Sequence, residues 1–216
     1  QRRNQKVLEE TPSGILDEET RKKMGEVAVK AVKEIGYTNA GTIEFLVDKN
    51  KDFYFMEMNT RVQVEHPITE MVTGIDIVKE QIRIANGEKI KYSQDDIKFY
   101  GHSMEARINA EDPEKNFMPC PGLITGLHLP GGNGVRVDTA IYSGYMVPPT
   151  YDSMLAKIIV HGKDREESIS KMKSAIAELV VEGIKTNADF VLKILDDKDF
   201  HKDNYDTSYL KKFLKQ

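Results

Sequence analysis

The chain has 216 residues, 39% of them hydrophobic, with 31 Lys and Arg against 35 Asp and Glu for a net charge of -4. That length buries a substantial core in one domain or two small lobes, and the near-balanced charge excludes a surface built as a whole for nucleic acid or an anionic membrane. The single cysteine, Cys120, excludes an internal disulfide and fits a reducing cytoplasm, while no apolar run reaches the roughly 20 residues of a membrane span and Gln1 to Lys6 lacks the apolar stretch of a secretory signal.

Asp17 to Ile35 predicts a helix: Asp17 caps it, Glu18 and Glu19 favour its positive end, Met24, Val27, Ala31 and Ile35 recur at helical spacing, and Gly36 ends it. Two strand-like runs follow, Thr42 to Val47 and Asp52 to Val64, joined as a hairpin by the polar tract Asp48-Lys49-Asn50-Lys51-Asp52. Pro67 suits the first turn of a helix, and Asp76 caps another running through Ile77, Val78, Gln81, Ile82 and Ala85 to Asn86-Gly87. From about Lys98 to Val160, β-type runs broken by Pro119, Pro121, Pro130, Gly131, Gly132, Pro148 and Pro149 predict an antiparallel sheet or partial barrel. Two helices come next, one from the capping box Asp164-x-x-Glu167 burying Ile169, Met172, Ile176 and Leu179, the other from near Asn187 using Phe190, Val191 and Ile194. Lys211 to Lys215 reads as the basic end of a terminal helix. The fold class is α+β.

Along Met56 to Glu65, alternation places Glu57, Asn59, Arg61, Gln63 and Glu65 on one face of a strand; a half-buried strand with a solvated side produces the same pattern. A turn centred between Asn50 and Lys51 pairs Glu44 with Glu57 and Thr42 with Asn59. Directly opposed side chains hold their Cβ atoms about 4.5–5.5 Å apart, where like charges repel unless neutralised. Mg²⁺ suits two carboxylates and a neighbouring amide oxygen, which nominates Glu44, Glu57 and Asn59 as metal ligands. Alternatively one glutamate swings to solvent or pairs with Lys49 or Lys51, and a slip of one residue separates the pair.

Farther along, Arg61 offers a fork for a small planar oxyanion, Gln63 a neutral donor, and Glu65 a general base beside a bound oxyanion that carries a proton; the plainer alternative is an Arg61–Glu65 salt bridge. In Gly101 to Asn109, Glu105, Arg107 and Asn109 share one face and Met104, Ala106 and Ile108 the other. Arg107 is thus a second anion holder or a structural arginine. His66 and His102 read as structural, and Tyr151-Asp152-Ser153 either orients an arginine or forms a turn.

The run Glu57-Met58-Asn59-Thr60-Arg61-Val62-Gln63-Val64-Glu65-His66-Pro67, followed by Thr69-Glu70-Met71-Val72-Thr73-Gly74, strongly resembles the biotin carboxylase branch of the ATP-grasp family. Gln1-Arg2-Arg3-x-Gln5-Lys6, Glu105-x-Arg107-Ile108-Asn109-Ala110-Glu111-Asp112-Pro113, Tyr151-Asp152-Ser153-Met154 and Gly183-Ile184-Lys185-Thr186-Asn187 resemble further family blocks in the expected order. The resemblance implies an ATP-grasp carboxyl-terminal half over residues 1–97, an antiparallel sheet with flanking helices, and a small barrel-like biotin carboxylase C-terminal lobe over 98–216. It implies that Glu44, Glu57 and Asn59 bind a pair of Mg²⁺ ions, with Mn²⁺ a substitute, and that Gln1, Asn4, Glu44, Leu46 and Glu57 meet ATP. Lys6, Arg61, Gln63, the backbone of Val64 and Arg107 would hold bicarbonate, with Glu65 as base and Arg107 stabilising the biotin enolate.

The implied reaction is ATP- and bicarbonate-dependent carboxylation of biotin through carboxyphosphate, as in acetyl-CoA carboxylase of fatty acid synthesis; a pyruvate or acyl-CoA carboxylase, a carbamoyl phosphate synthase and a non-catalytic nucleotide or Mg²⁺ binding module are the alternatives. The implied partners are the biotin carboxyl carrier protein, carboxyltransferase subunits and a second copy of the chain in a homodimer. Two positions depart from the family: Asn4, where many relatives have His, and Asn133, where they often place an aromatic residue in the dimer contact. The start without Met and the lack of the family's amino-terminal domain and glycine-rich lid lead to the expectation of a fragment, inactive by itself.

Overall fold

The computed structural model describes residues 5–213. They form two compact units, one of Ser13–Phe99 and one joining the segment before Ser13 to Tyr100 and beyond. Strand β1 (Leu8–Thr11) belongs to the latter, although the hairpin follows it in sequence.

The Ser13–Phe99 unit begins with α1 (Glu18–Glu34), where the Asp17 carboxylate accepts the Thr20 N–H at 2.8 Å and Gly36 closes the end at φ +63°. The ribbon of β2 (Thr42–Val47) and β3 (Phe53–Asn59) follows. Helix α2 (His66–Thr73) has Pro67 in its first turn, and α3 (Ile77–Ala85) is capped by Asp76, which accepts from Lys79 N at 2.8 Å. Glu70 ties the two helices together by accepting the Ile77 N–H at 2.8 Å. Ile68 and Val72 are the buried large hydrophobic side chains here among the described residues, and the apolar stripe of α1 is open, with Val27 at 45% and Ile35 at 67% exposure.

The other unit holds the cores. After β4 (His102–Asn109) come β5 (Glu111–Asp112), β6 (Met118–Pro119), β7 (Gly122–Leu123), β8 (Gly126–His128), β9 (Val135–Thr139), β10 (Met146–Val147) and β11 (Met154–Gly162), then α4 (Arg165–Glu178), β12 (Val180–Glu182), α5 (Ala188–Leu195) and α6 (Lys198–His201). The main sheet runs β1-β4-β11-β9, every pairing antiparallel. Its apolar face carries Met104, Ala106, Ile108, Ile158 and Val160 against Ile169, Met172 and Ile176 of α4 and Phe190, Val191 and Ile194 of α5. Each fully buried aliphatic side chain contributes about 1.5–3 kcal/mol, so this layer carries most of the unit's stability. A smaller core of Ala110, Ile124, Val147 and Leu155 lies under the short ribbons β7–β10 and β8–β12.

The α+β class and the antiparallel sheet with flanking helices are as expected, but among the described residues no set of strands closes into a barrel. Pro119, Pro121, Pro148 and Pro149, in or beside the short strands, cannot donate ladder hydrogen bonds there. The capping box also differs in detail: Asp164 accepts the Glu167 N–H at 2.8 Å, while the Glu167 carboxylate reaches back to Lys163 N at 2.8 Å. Leu179 lies just past α4 as its C-cap, packed on the main core. Of the basic carboxyl-terminal run, Lys211 and Lys212 lie in a 3-10 turn, Tyr209–Lys212, while Leu214 and Lys215 lie outside the described residues. Among the described residues, no helix is long and apolar enough to cross a membrane.

Candidate functional site

The β2–β3 turn is built by Asp48, whose carboxylate accepts the N–H groups of Asn50 at 2.8 Å and Asp52 at 3.0 Å. Its backbone closes on Asp52, from Asp48 N to Asp52 O at 2.9 Å, and Lys51 takes the left-handed conformation at φ +67°. This is a three-residue loop, Lys49 to Lys51, so the turn centres on Asn50 and not between Asn50 and Lys51 as expected. Near the turn Val47 therefore pairs with Phe53 and Phe45 with Phe55; continued unbroken, that register sets Met56 opposite Glu44. A bulge between Glu44 and Phe45 restores the other pairing, Glu44 with Glu57 and Thr42 with Asn59.

The facing carboxylates are bridged by an amide. Asn59 Nδ2 lies 3.2 Å from Glu44 Oε1 and 3.0 Å from Glu57 Oε1, and Gln63 Nε2 donates to Glu44 Oε1 at 2.9 Å. Amide hydrogens thus supply the positive partner that two facing carboxylates need. Lys51 turns the other way, to Asp17 at 2.6 Å. The donor set fits a hard cation: two carboxylate oxygens converge on the Asn59 amide, and turning that amide over presents Oδ1 beside them.

Strand β3 ends at Asn59, so Arg61, Gln63 and Glu65 do not continue its polar face as alternation implied. They lie on a bend and turn that enters α2, with Glu65 as its N-cap residue. Side-chain reach still gathers two of them to the cluster. Arg61 Nη2 donates to Asn59 Oδ1 at 3.3 Å, and its Nη1 to Val62 O at 3.1 Å and Gln63 Oε1 at 3.3 Å. Glu65 and the backbone of Val64 follow directly, half-buried. Leu46 sits on the ribbon at 55% exposure. His66 is structural, its Nδ1 2.7 Å from Gln63 O.

Arg107 is on β4 in the other unit, on the sheet face opposite the apolar core. Glu9 of β1 holds it, with Oε1 at 2.6 Å from both Nε and Nη2. Its carbonyl accepts from Asn187 Nδ2 at 2.9 Å, and Asn187 Oδ1 accepts the Asn109 N–H at 2.7 Å, so one buried side chain clamps this stretch of β4. Neither Glu9 nor Asn187 stood out as a partner of Arg107 from sequence; the doubled acid Glu9-Glu10 in a strand-like run was the available signal. Lys6 precedes β1 and is half-buried. Gln1 and Asn4 lie outside the described residues. Asp152 serves a turn, accepting the Met154 N–H at 2.8 Å, and Ser153 donates to the buried Glu111 at 2.7 Å.

Residues 105–212 match the family model of the biotin carboxylase C-terminal domain, and residues 1–93 that of the carbamoyl-phosphate synthase L chain, ATP binding domain. The chain belongs to the biotin carboxylase family. Within that family it is 55% identical to Biotin carboxylase 1 of Bacillus subtilis (strain 168) over 214 residues, 99% of this chain and 48% of the relative. It is 53% identical to a pyruvate carboxylase subunit of Methanothermobacter thermautotrophicus over 213 residues, 99% of this chain and 43% of the relative. The solved biotin carboxylase domain dimer of Hydrogenobacter thermophilus 2-oxoglutarate carboxylase, a complex with MgADP, ADP and bicarbonate, matches with a TM-score of 0.96 at 51% identity, covering 98% of this chain and 47% of that one. The chain spans about half the length of the curated biotin carboxylases it matches.

Proposed function

We propose that the full-length protein carboxylates biotin with ATP and bicarbonate, and that residues 1–97 are the carboxyl-terminal part of its ATP-grasp domain and 98–216 its biotin carboxylase C-terminal domain. The observation that carries this reading is the Glu44–Asn59–Glu57 cluster with Arg61 and Gln63 hydrogen-bonded to it, in a chain of this family. Glu44, Glu57 and Asn59 would hold Mg²⁺, which neutralises phosphate charge when bound. Gln1, Asn4 and Leu46 would meet the nucleotide, with Mn²⁺ as an alternative metal.

Arg61, Gln63, the Val64 backbone, Lys6 and Arg107 hold bicarbonate in this reading, and Glu65 takes its proton. The bicarbonate oxygen then attacks the γ-phosphate of ATP, releasing ADP and forming carboxyphosphate, which breaks down to CO₂ and phosphate. Phosphate removes the ureido proton of biotin, and the resulting enolate attacks CO₂ at nitrogen. Arg107 balances the enolate charge. These residues contribute alignment and fixed charge rather than a covalent intermediate.

Such an enzyme works as a cytoplasmic homodimer with a biotin carboxyl carrier protein and carboxyltransferase subunits, and acetyl-CoA carboxylase is the assembly proposed; the similarity to a pyruvate carboxylase component supports the alternative acceptor. The full-length protein should hydrolyse ATP in a bicarbonate-dependent manner stimulated by biotin, and Arg61→Ala and Glu65→Gln should each abolish it. Unchanged turnover in both variants refutes these roles. For the chain by itself, half the length of its relatives, the alternative is a binding module: calorimetric MgADP binding together with a full-length protein that never carboxylates biotin would establish it.

A further inference from the structure

The polar face of the main sheet carries a carboxylate that the proposed reaction does not use, that of Glu9. In the β1–β4 register Glu9 stands opposite Glu105, one diagonal step from Arg107. Its Oε1 sits 2.6 Å from both Nε and Nη2, with the Glu9 and Arg107 side chains only 7% and 16% exposed. The backbone of Arg107 is fixed by other groups: its N–H donates to Val7 O at 3.0 Å and its carbonyl accepts from Asn187. The contribution of Glu9 therefore falls on the guanidinium itself. A carboxylate against the Nε–Nη2 edge sets both the rotation of the long side chain and the plane of its fork.

We infer that Glu9 is the positioning residue for Arg107, fixing the guanidinium plane so that its charge is already aimed at the ureido oxygen of biotin as negative charge develops there. This rests on the role given to Arg107 above. Fixed charge stabilises a transition state most when nothing must reorient during reaction, and a carboxylate on the Nε–Nη2 edge narrows the rotamers open to the guanidinium.

The test is steady-state kinetics on the full-length protein. Glu9→Gln keeps an acceptor of the same shape and removes the charge; kcat for biotin carboxylation should fall about tenfold while KM for MgATP stays as in the wild type, and the melting temperature should fall because the buried Arg107 guanidinium loses the Glu9 counter-charge. Arg107→Lys should be impaired as well, and adding Glu9→Gln to it should lose nothing further, because the fork that Glu9 orients is already gone. Wild-type turnover in Glu9→Gln beside an impaired Arg107→Lys overturns the positioning role alone, as does a double variant whose loss is the product of the two. Wild-type turnover in Arg107→Lys removes the reading beneath it and the inference with it. Where Glu9→Gln does not fold, Glu9→Asp keeps the buried charge but withdraws it by one methylene. It must then show the same biotin-specific loss; a KM for MgATP that rises together with the fall in kcat marks a general defect and overturns the proposal.

Discussion

Glu44 and Glu57 face each other across the β2–β3 ribbon because a bulge beside Glu44 compensates a three-residue loop. The pair is held by amide donors from Asn59 and Gln63, an arrangement that lowers the repulsion without removing either charge.

Replacing one charge should thus stabilise the metal-free chain. Glu57→Gln keeps the acceptor for Asn59 and removes a like charge worth about 0.2–1 kcal/mol of destabilisation. In EDTA the variant should melt slightly above the wild type, whereas added Mg²⁺ should raise the wild-type midpoint by mass action and leave the variant's in place. A lower midpoint in EDTA, or an equal Mg²⁺ shift, contradicts the proposed metal role.

Glu10 predicts an acid-sensitive fold. Its side chain is 9% exposed and lies 3.2 Å from His102 Nε2 and 2.7 Å from Arg165 Nε, with a further hydrogen bond from the Tyr205 hydroxyl. Burial pushes its pKa up, but the hydrogen bonds from His102, Arg165 and Tyr205 outweigh burial and lower it from 4.5 to about 2. A depressed carboxylate stabilises fully above its unfolded value and loses that contribution as pH falls from 4.5 through about 2, roughly 3 kcal/mol in all. Glu10→Gln should be less stable at pH 7 by about that amount, and the two denaturation curves should converge as pH approaches 2. A gap that does not change with pH refutes the assignment.

Asn187 predicts a larger loss than its size suggests. With 2% exposure and bonds to Arg107 O and Asn109 N, its truncation strands two backbone groups of β4. Asn187→Ala should destabilise by about 2–4 kcal/mol, measured by urea titration. Asn187→Asp should also destabilise, because one acceptor then meets the Arg107 carbonyl; wild-type stability in either variant would show the clamp to be dispensable.

Helices and strands were legible where local rules suffice. Asp17, Asp76 and Asp164 cap as their type and spacing indicate, Gly36 ends its helix at positive φ, and Met104, Ala106 and Ile108 turn inward by plain alternation. Alternation misled beyond Asn59, because a bend can maintain a polar-apolar rhythm after the strand has ended. The turn length also escaped it: Asp48 organises the loop through its own carboxylate, and Lys51 enters a conformation usually left to Gly or Asn.

By itself, the sequence determined most of the helices with their caps, the two faces of β4 and the set of charged residues available for chemistry, since each follows from periodicity, capping and residue type within a few positions. Only the tertiary structure decided that β1 pairs with β4 across 98 residues to bring Glu9 onto Arg107, and that Asn187 closes on the same strand from 80 residues away. Partners so far apart are chosen by packing of the shared core, and the periodicity within one segment does not say which distant segment it packs against.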